Sequence, residues 1–249
     1  MKIPYNLKNI LIPIIILFLL LNVLLWLPLY NNIYLVFRQG LKYLIVVLCS
    51  LIVFSLSPKS GFNKFDISIL KSSFIFILIA DLFYVIIYHL KNSYIFVIAG
   101  FICYIVVHLL LLIRHTKRIL SYYKKYMHNV MLVGSIIYSI LITVIILYSI
   151  FTNIDIVNVC VIMYTLLITS SLFIAWIIQI KQIYPLFNSL CIAIGISLFF
   201  LSDMFVGYGH FFADKIGQAY IINLSWLFNI PGITLLALSG FKIENTIDS

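Results

Sequence analysis

The stretch FILIADLFYVIIYHL, residues 76–90, is apolar at nearly every position and carries an acidic side chain, Asp81, near its middle. Such a run is typical of a helix that crosses a lipid bilayer, which needs about 20 apolar residues. Carboxylates are rare inside these spans, and those that occur usually serve binding, proton transfer or catalysis. The stretch therefore raises two questions: how many spans the chain contains, and what Asp81 does in this one.

The composition of the whole chain also indicates a membrane protein. Of its 249 residues, 64% are hydrophobic and 9% are charged, whereas a soluble domain is about 25% charged. The formal net charge is +9, and in a membrane protein an excess of Lys and Arg reports orientation rather than nucleic-acid binding. The sequence predicts an all-α, polytopic transmembrane helical bundle that has no nucleic-acid partner.

Eight apolar segments are long enough to span the bilayer, and the connections between them are too short for a separate soluble domain. The predicted spans are residues 9–29, 40–57, 68–90, 93–113, 129–151, 156–180, 186–208 and 218–240. The first run is too long for a signal-peptide core and lacks a small-residue cleavage site, so we expect it to be retained. Residues 1–249 should form a single transmembrane helical domain.

The distribution of Lys and Arg predicts the orientation of the bundle. If the N-terminus is cytoplasmic, most basic residues lie in cytoplasmic connections, including the longest one, RHTKRILSYYKKYMHN at residues 114–129. The exceptions are Arg38, Lys42, Lys91 and Lys215. Because cytoplasmic loops carry the basic excess, we expect both termini in the cytoplasm and an even number of spans. Segment 114–129 should lie on the inner surface, facing anionic headgroups.

Two acidic residues lie inside predicted spans, Asp81 in the third and Asp203 in the seventh. The others are expected to be solvated in loops or the C-terminal tail: Asp66, Asp155, Asp214, Glu244 and Asp248. At about 1.5 Å per residue, Asp81 lies just past mid-bilayer and Asp203 closer to the outer surface. Lys42 begins the second span on that side, so we expect the three to converge in the outer half of the bundle.

Other polar side chains extend this candidate site. His108 of the fourth span is placed nearer the inner side, and it joins the acids only if its helix runs on toward residue 120 or the cavity is deep. Tyr84 shares a helical face with Asp81, and Tyr104 precedes His108 by one turn. Gly100 lies on the same stripe as Tyr104, where a glycine permits close helix approach.

The eighth span contains the sequence WLFNIPGITLL, in which Asn229 and Pro231 should interrupt the helix. Proline removes a backbone hydrogen bond, and the freed carbonyl needs a partner or a water-lined cavity. We therefore expect this span to form another wall of the site. A structural alternative stays open: the acids hydrogen-bond as neutral groups between helices, His108 fills the core, and Pro231 is only a kink.

Common catalytic and metal-binding motifs are absent from the sequence. It contains no GxSxG nucleophile motif, phosphate-binding loop or HExxH zinc site. His115 lies among loop cations, which disfavours a metal site with His108. The four cysteines are far apart and are expected to act as small buried hydrophobes: Cys49, Cys103, Cys160 and Cys191. We predict neither a metal nor a cofactor.

The order and spacing of these residues resemble the YhhN family of membrane proteins, which includes bacterial and animal lysoplasmalogenases. The resemblance runs from about residue 38 to 240. It rests on Lys42-Tyr43-Leu44, Ala80-Asp81, FVIAGFICYIVVH (96–108), GISLFFLSD (195–203) and LLALS (235–239). The chain departs from the family pattern at three positions: Tyr43 replaces a proline, Ala80 a glycine, and Ile233 a glutamine.

The resemblance implies an ether-bond hydrolase, which cleaves the vinyl ether of a lysoplasmalogen to a fatty aldehyde and a glycerophospho-alcohol. Such ethers hydrolyse by protonation at carbon, giving an oxocarbenium ion that water captures. One carboxyl must act as acid and a second, ionised carboxylate can stabilise the cation, as in glycoside hydrolysis. We predict Asp81, Asp203 and His108 as catalytic, with His108 orienting water or relaying a proton. The residues predicted to bind the lysophospholipid are Lys42, Tyr84, Tyr104, Ser202 and Asn229.

Two other functions fit the same residues. In a proton- or ion-coupled small-molecule transporter, the carboxylates would bind the coupling ion. In a non-catalytic lipid-binding member of the family, the departures at Ala80 and Ile233 would reflect lost activity. The richness of the sequence in Ile, Lys, Asn and Tyr predicts a bacterial, multi-pass protein of the cytoplasmic membrane, surrounded by membrane lipids.

Overall fold

In a computed structural model the chain forms a bundle of long helices. The structure describes residues 5–26, 32–57, 62–87, 91, 93–122, 140, 156–212 and 215–241. The helices are α1 (Tyr5–Trp26), α2 (Asn32–Phe54), α3 (Lys64–Asp81), α4 (Tyr94–Tyr122), α5 (Ile156–Ile180), α6 (Leu186–Phe212) and α7 (Lys215–Leu238). A π-helical segment, Leu82–Ile87, continues α3. All regular structure in these ranges is helical, in agreement with the all-α prediction.

Several helices are suited to cross a membrane. Four are long and apolar enough by length and composition: Phe37–Phe54, Lys64–Ile87, Ile95–Leu120 and Leu186–Val206. Shorter apolar stretches at Asn9–Leu24, Tyr164–Ile180 and Asn223–Leu238 coincide with three further predicted spans. The chain is therefore a helical integral membrane protein. Apart from residue 140, the predicted span 129–151 lies outside the described residues, so the count of eight and the orientation stay predictions.

Large apolar side chains cover the outside of the bundle. Val23 on α1, Ile95 on α4 and Ile180 at the end of α5 are all exposed by more than half of their surface. In water such a surface would be costly, whereas lipid chains are as apolar as these side chains. The outer surface therefore fits a hydrocarbon environment.

Six of the helices pack in a closed ring. In chain order, each helix from α2 to α7 contacts the next, and α7 returns to contact α2. The contact between α6 and α7 is the most extensive, followed by that between α3 and α4. Helix α1 lies outside this ring, against α2, and touches α7 only slightly. The ring surrounds the polar groups that α2 to α7 turn inward.

Glycines set the closest helix contacts. A Cβ atom on Gly100 would lie 3.3 Å from the carbonyl oxygen of Ala80, which confirms the predicted close approach of α4 to α3. Between α6 and α7, a Cβ on Gly195 would lie 3.1 Å from the carbonyl oxygen of Gly232, and the reverse distance is also 3.1 Å. Neither crossing leaves ordinary room for a side chain.

The predicted interruption of the eighth span and the predicted end of the fourth span are wrong. Helix α7 continues through Pro231 to Leu238 rather than breaking there. A proline costs one backbone hydrogen bond and introduces strain, and the extensive packing on α6 holds the helix together. Helix α4 runs to Tyr122, so residues 114–122 are helical and not part of a surface loop. The rest of the predicted 114–129 segment lies outside the described residues.

The expectation that Asp66 is solvated is also wrong. Asp66 lies in the first turn of α3 and is buried, because Arg114 of α4 compensates its charge. The Nε and Nη2 atoms of Arg114 lie 3.0 and 3.1 Å from the two carboxylate oxygens, a bidentate pair. The Tyr184 hydroxyl donates to Oδ1 at 2.7 Å, and Arg114 Nη1 donates to Ser239 at 3.1 Å. We call these four residues the ion-pair cluster.

The surroundings of the ion-pair cluster are equally buried. Tyr184 lies in the connection between α5 and α6, and burial raises the pKa of its phenol above the ordinary range, which keeps it a hydrogen-bond donor. His115 was expected among solvated cations, but it is fully buried beside Arg114. The cluster therefore joins α3, α4, the α5–α6 connection and the end of α7 at one end of the bundle.

Candidate active site

Asp81 is the last residue of α3 and is only 1% exposed. Its Oδ1 atom accepts a short hydrogen bond from the hydroxyl of Tyr104 on α4. Among the described residues, its Oδ2 atom has no hydrogen-bond partner. The helix changes to π-helical geometry directly after Asp81, and such wide turns are frequent at functional sites. One carboxylate oxygen is thus held by Tyr104, while the other is buried without a hydrogen-bond partner among the described residues.

Asp203 of α6 is held by a second tyrosine. The hydroxyl of Tyr164 on α5 donates to Asp203 Oδ2 at 2.5 Å. The same hydroxyl lies 3.2 Å from Nε2 of His108 on α4. Because one phenol oxygen contacts both groups, Tyr164 connects three helices at this point.

Phe199, one turn before Asp203 on α6, joins the two tyrosine–aspartate pairs. Its ring packs edge-on against the ring of Tyr104 at 5.8 Å between centroids and against His108 at 5.2 Å. The two carboxyl groups lie within electrostatic range of each other. The residues Asp81, Tyr104, His108, Tyr164 and Asp203 therefore form one assembly, which we call the carboxylate network.

Lys42 of α2 approaches the network from the other side. It is 2% exposed, and its Nζ lies 4.9 Å from the ring centroid of Trp226 on α7, a cation–π contact. It also lies within electrostatic range of Asp81. The structure thus brings Lys42, Asp81 and Asp203 together, as the depth estimate predicts.

The other predicted site residues lie on the same helices. Tyr84, in the π-helical segment, is in electrostatic range of Tyr104. Ser202 is buried next to Asp203 in the sequence. Asn229 is buried one turn after Trp226, and its Oδ1 has no partner within the described ranges. For Ser202 and Asn229 these positions on α6 and α7 place them beside the network, without a direct hydrogen bond to it.

Sequence reasoning missed two residues of the site, Tyr164 and Trp226. Both lie well inside predicted spans rather than at the membrane interfaces where aromatic residues are enriched. A phenol or indole at such depth needs a hydrogen-bond or cation partner, and that signal would have identified them.

The chemistry available here is acid–base. The titratable groups are two carboxyls, three phenols, an imidazole and an ammonium. No group of three or more His, Cys, Asp or Glu arranged to hold a metal occurs in the part of the chain that the structure describes. His108 keeps one ring nitrogen, Nδ1, without a partner in the same part of the chain. Within the described ranges, three polar side chains of the site thus each have one buried atom without a hydrogen-bond partner: Asp81, His108 and Asn229.

The fold and the site define an integral membrane protein with a buried acid–base network inside a helical bundle. The model of the YhhN family matches residues 37–228, which include every residue of the carboxylate network. The chain belongs to this family. A comparison with curated proteins and one with solved structures each find no match.

Two of the three positions expected to depart from the family pattern, Ala80 and Ile233, are apolar and buried. Ala80 is fully buried, with its carbonyl oxygen against Gly100, so its extra methyl group lies in the α3–α4 contact. Ile233 is buried on α7, one turn after Asn229. Both side chains add apolar volume near the network without disrupting its hydrogen bonds.

Proposed function

We propose that this protein is a membrane-embedded lipid hydrolase of the lysoplasmalogenase type, which cleaves the vinyl ether of a lysoplasmalogen. Membership of the YhhN family is compatible with that activity. The observation that carries the proposal is the meeting of Asp81 and Asp203, far apart in sequence, in one buried network. Two carboxyl groups are what a vinyl ether needs, one to protonate carbon and one to stabilise the cation.

The free polar atoms suit a substrate and a water molecule. Asp81 Oδ2 and His108 Nδ1 can accept hydrogen bonds from the attacking water, and Asn229 Oδ1 from the glycerol hydroxyl. Lys42 supplies positive charge for Asp81 or for the lipid phosphate. Tyr84 and Ser202 line the approach from α3 and α6. The single lipid chain enters between helices and remains in hydrocarbon.

The membrane placement forms part of the proposal. Eight spans with both termini in the cytoplasm put Lys42, Asp81 and Asp203 toward the outer side. The headgroup then lies near the outer surface. The ion-pair cluster faces the inner side. We place the protein in a bacterial cytoplasmic membrane.

The decisive experiment measures aldehyde release by the purified protein from lysoplasmenylethanolamine. We expect Asp81→Asn and Asp203→Asn each to lower the rate by about 100-fold or more, since a general acid or base contributes about 10²- to 10⁴-fold. The matched substrate control is the saturated alkyl-ether lysolipid, which has the same chain and headgroup but no double bond to protonate. It should not be cleaved.

Three results would count against the proposal. Wild-type protein that releases no aldehyde but returns bound lysolipid intact would indicate the lipid-binding alternative. Uptake into proteoliposomes without product would indicate a transporter. Full activity in either asparagine variant would remove that carboxyl from the mechanism.

A further inference from the structure

We propose that Tyr164 is a positioning residue that holds Asp203 as the general acid of the site, leaving Asp81 as the ionised partner. This inference rests on the proposed hydrolase function and assigns the two carboxyl roles. Its starting point is the shared phenol oxygen of Tyr164, 2.5 Å from Asp203 Oδ2 and 3.2 Å from His108 Nε2.

The hydrogen-bond directions decide which oxygen of Asp203 carries the acidic proton. A phenol has one proton to donate, and that proton goes to Asp203 Oδ2. The contact with His108 then requires Nε2–H to donate to the phenol oxygen, which leaves Nδ1 as an acceptor. With Oδ2 held by Tyr164, the acidic proton belongs on Oδ1. Tyr164 thereby determines which oxygen of Asp203 carries the acidic proton.

The charges around the two carboxyl groups differ. Lys42, held over Trp226, lies within electrostatic range of Asp81 and compensates a negative charge there. Among the described residues, the charged group within electrostatic range of Asp203 is Asp81, which has the same sign. Two nearby carboxylates do not both ionise readily, so they share one proton. The cation places the negative charge on Asp81 and the proton on Asp203.

Exposure also separates the two groups. Asp81 is 1% exposed, whereas Asp203 is half-buried. A vinyl carbon must come within contact distance of the acid, while a water molecule can reach the enclosed carboxylate. The more accessible group therefore suits the carbon protonation.

The resulting reaction is balanced in atoms and charge. Asp203 gives its proton to the vinyl carbon remote from oxygen, and the double-bond electrons form the new C–H bond. Water attacks the oxocarbenium carbon and passes a proton to Asp81, giving a hemiacetal. The carbon–oxygen bond to glycerol then breaks, Asp81 returns its proton to the glycerol oxygen, and the hemiacetal hydroxyl proton goes to Asp203. Both carboxyl groups end as they began.

The test compares the pH dependence of kcat in two variants that each remove one phenol hydroxyl. An acid is active while protonated, so it sets the alkaline limb of the profile, and a base sets the acidic limb. Losing a donor to a carboxylate disfavours its ionised form. We expect Tyr164→Phe to move the alkaline limb up by about one pH unit and Tyr104→Phe to move the acidic limb up by about one unit.

The rate should change along with the profile. For Tyr164→Phe we expect kcat to fall by about 10-fold or more with KM unchanged within about 2-fold, since the hydroxyl holds the acid and not the lipid. Tyr184→Phe is the matched control, because it removes the same kind of tyrosine–aspartate bond from the ion-pair cluster. Its kcat and both limbs should equal those of the wild type.

Several outcomes would overturn the assignment. Unchanged kcat and unchanged limbs in Tyr164→Phe would show that Tyr164 does not position the acid. A shift of the acidic limb in the same variant would make Asp203 the base. If Tyr164→Phe does not fold, His108→Leu and His108→Gln test the same hydrogen bonds, from His108 to Tyr164 and from Tyr164 to Asp203. Of the two substituted side chains, only glutamine can still donate a hydrogen bond to the Tyr164 oxygen. The alkaline limb of the kcat profile should then move in the leucine variant and not in the glutamine variant. Alkaline limbs at the same pH in both variants would contradict the proposal. A wild-type protein that releases no aldehyde would contradict the proposed hydrolase function. An active wild type whose Tyr164→Phe and Tyr104→Phe variants lack the expected pH shifts would contradict only the assignment of the two carboxyl roles.

Discussion

Two aspartates on helix α3 show how differently one residue type can be buried. Asp66 has both oxygens engaged by Arg114 and Tyr184. Asp81 has one oxygen engaged by Tyr104 and another with no partner among the residues described. A buried charge that is fully paired is structural, while a buried acceptor without a partner can bind a ligand or water. The distinction supports Asp81, and not Asp66, as the residue that takes part in the proposed reaction.

The ion pair leads to a stability prediction. Asp66→Asn leaves the Arg114 guanidinium buried without its counter-charge, which typically costs about 3–5 kcal/mol of unfolding free energy. Denaturant unfolding of the purified protein in detergent measures this loss. The double variant Asp66→Leu/Arg114→Met should recover much of it, because no uncompensated charge remains. Wild-type stability in Asp66→Asn would show that the pair contributes nothing.

At the level of residues, the sequence predicted part of the site. Asp81, Asp203 and His108 stood out because polar groups inside apolar spans are conspicuous. The pairing of Asp66 with Arg114 could not be predicted, since both lie near the ends of their apolar runs, where solvation is the ordinary expectation. Tyr164 was missed because tyrosine is common in spans and its partner lies on another helix.

At the level of helices, the sequence predicts that each helix exists but not the residues at which it begins and ends. Long apolar runs located the helices, but hydropathy falls gradually near the interface, so α3 begins at Lys64 rather than at residue 68. The Asn63 side chain caps it by accepting from the Phe65 amide at 3.2 Å. Helix α4 extends past its apolar run because Arg114 finds a partner inside the bundle.

The α6–α7 crossing leads to a second stability prediction. Gly195→Ala places a methyl group 3.1 Å from the Gly232 carbonyl oxygen, and such overpacking costs about 1–3 kcal/mol. Gly40→Ala on α2 is the matched control, because a Cβ there meets nothing within 4 Å. Alanine favours helix over glycine, so this control should be neutral or stabilising by up to about 1 kcal/mol. Equal unfolding curves for the two variants would contradict the close packing of α6 on α7 at Gly195.

At the level of the whole molecule, the ring from α2 to α7 holds two polar assemblies at different depths. Asp66 and Asp81 are about 22 Å apart along the helix axis at about 1.5 Å per residue. The ion-pair cluster fastens one end of the ring, and the carboxylate network occupies the other. Composition predicted a bundle, but the closing of α7 onto α2 depends on contacts between distant segments that one sequence does not reveal.

The topology leads to a prediction for the membrane. The proposed eight spans would put both termini on the same side, and the distribution of Lys and Arg predicts that this side is cytoplasmic. A reporter that fluoresces only in the cytoplasm should therefore be active when fused to either end, and a periplasm-dependent phosphatase should be inactive at both. Termini on opposite sides would mean an odd number of spans.

Helix α1 has a different status from the other helices, because the ring closes without it. It meets α2 from outside and barely reaches α7, and the family match begins only after it, at residue 37. Fluorophores, affinity handles or a substitute anchor placed there would lie on the periphery, away from the carboxylate network. The N-terminal helix is thus the natural point of attachment for immobilising this protein or for following its movement in living membranes.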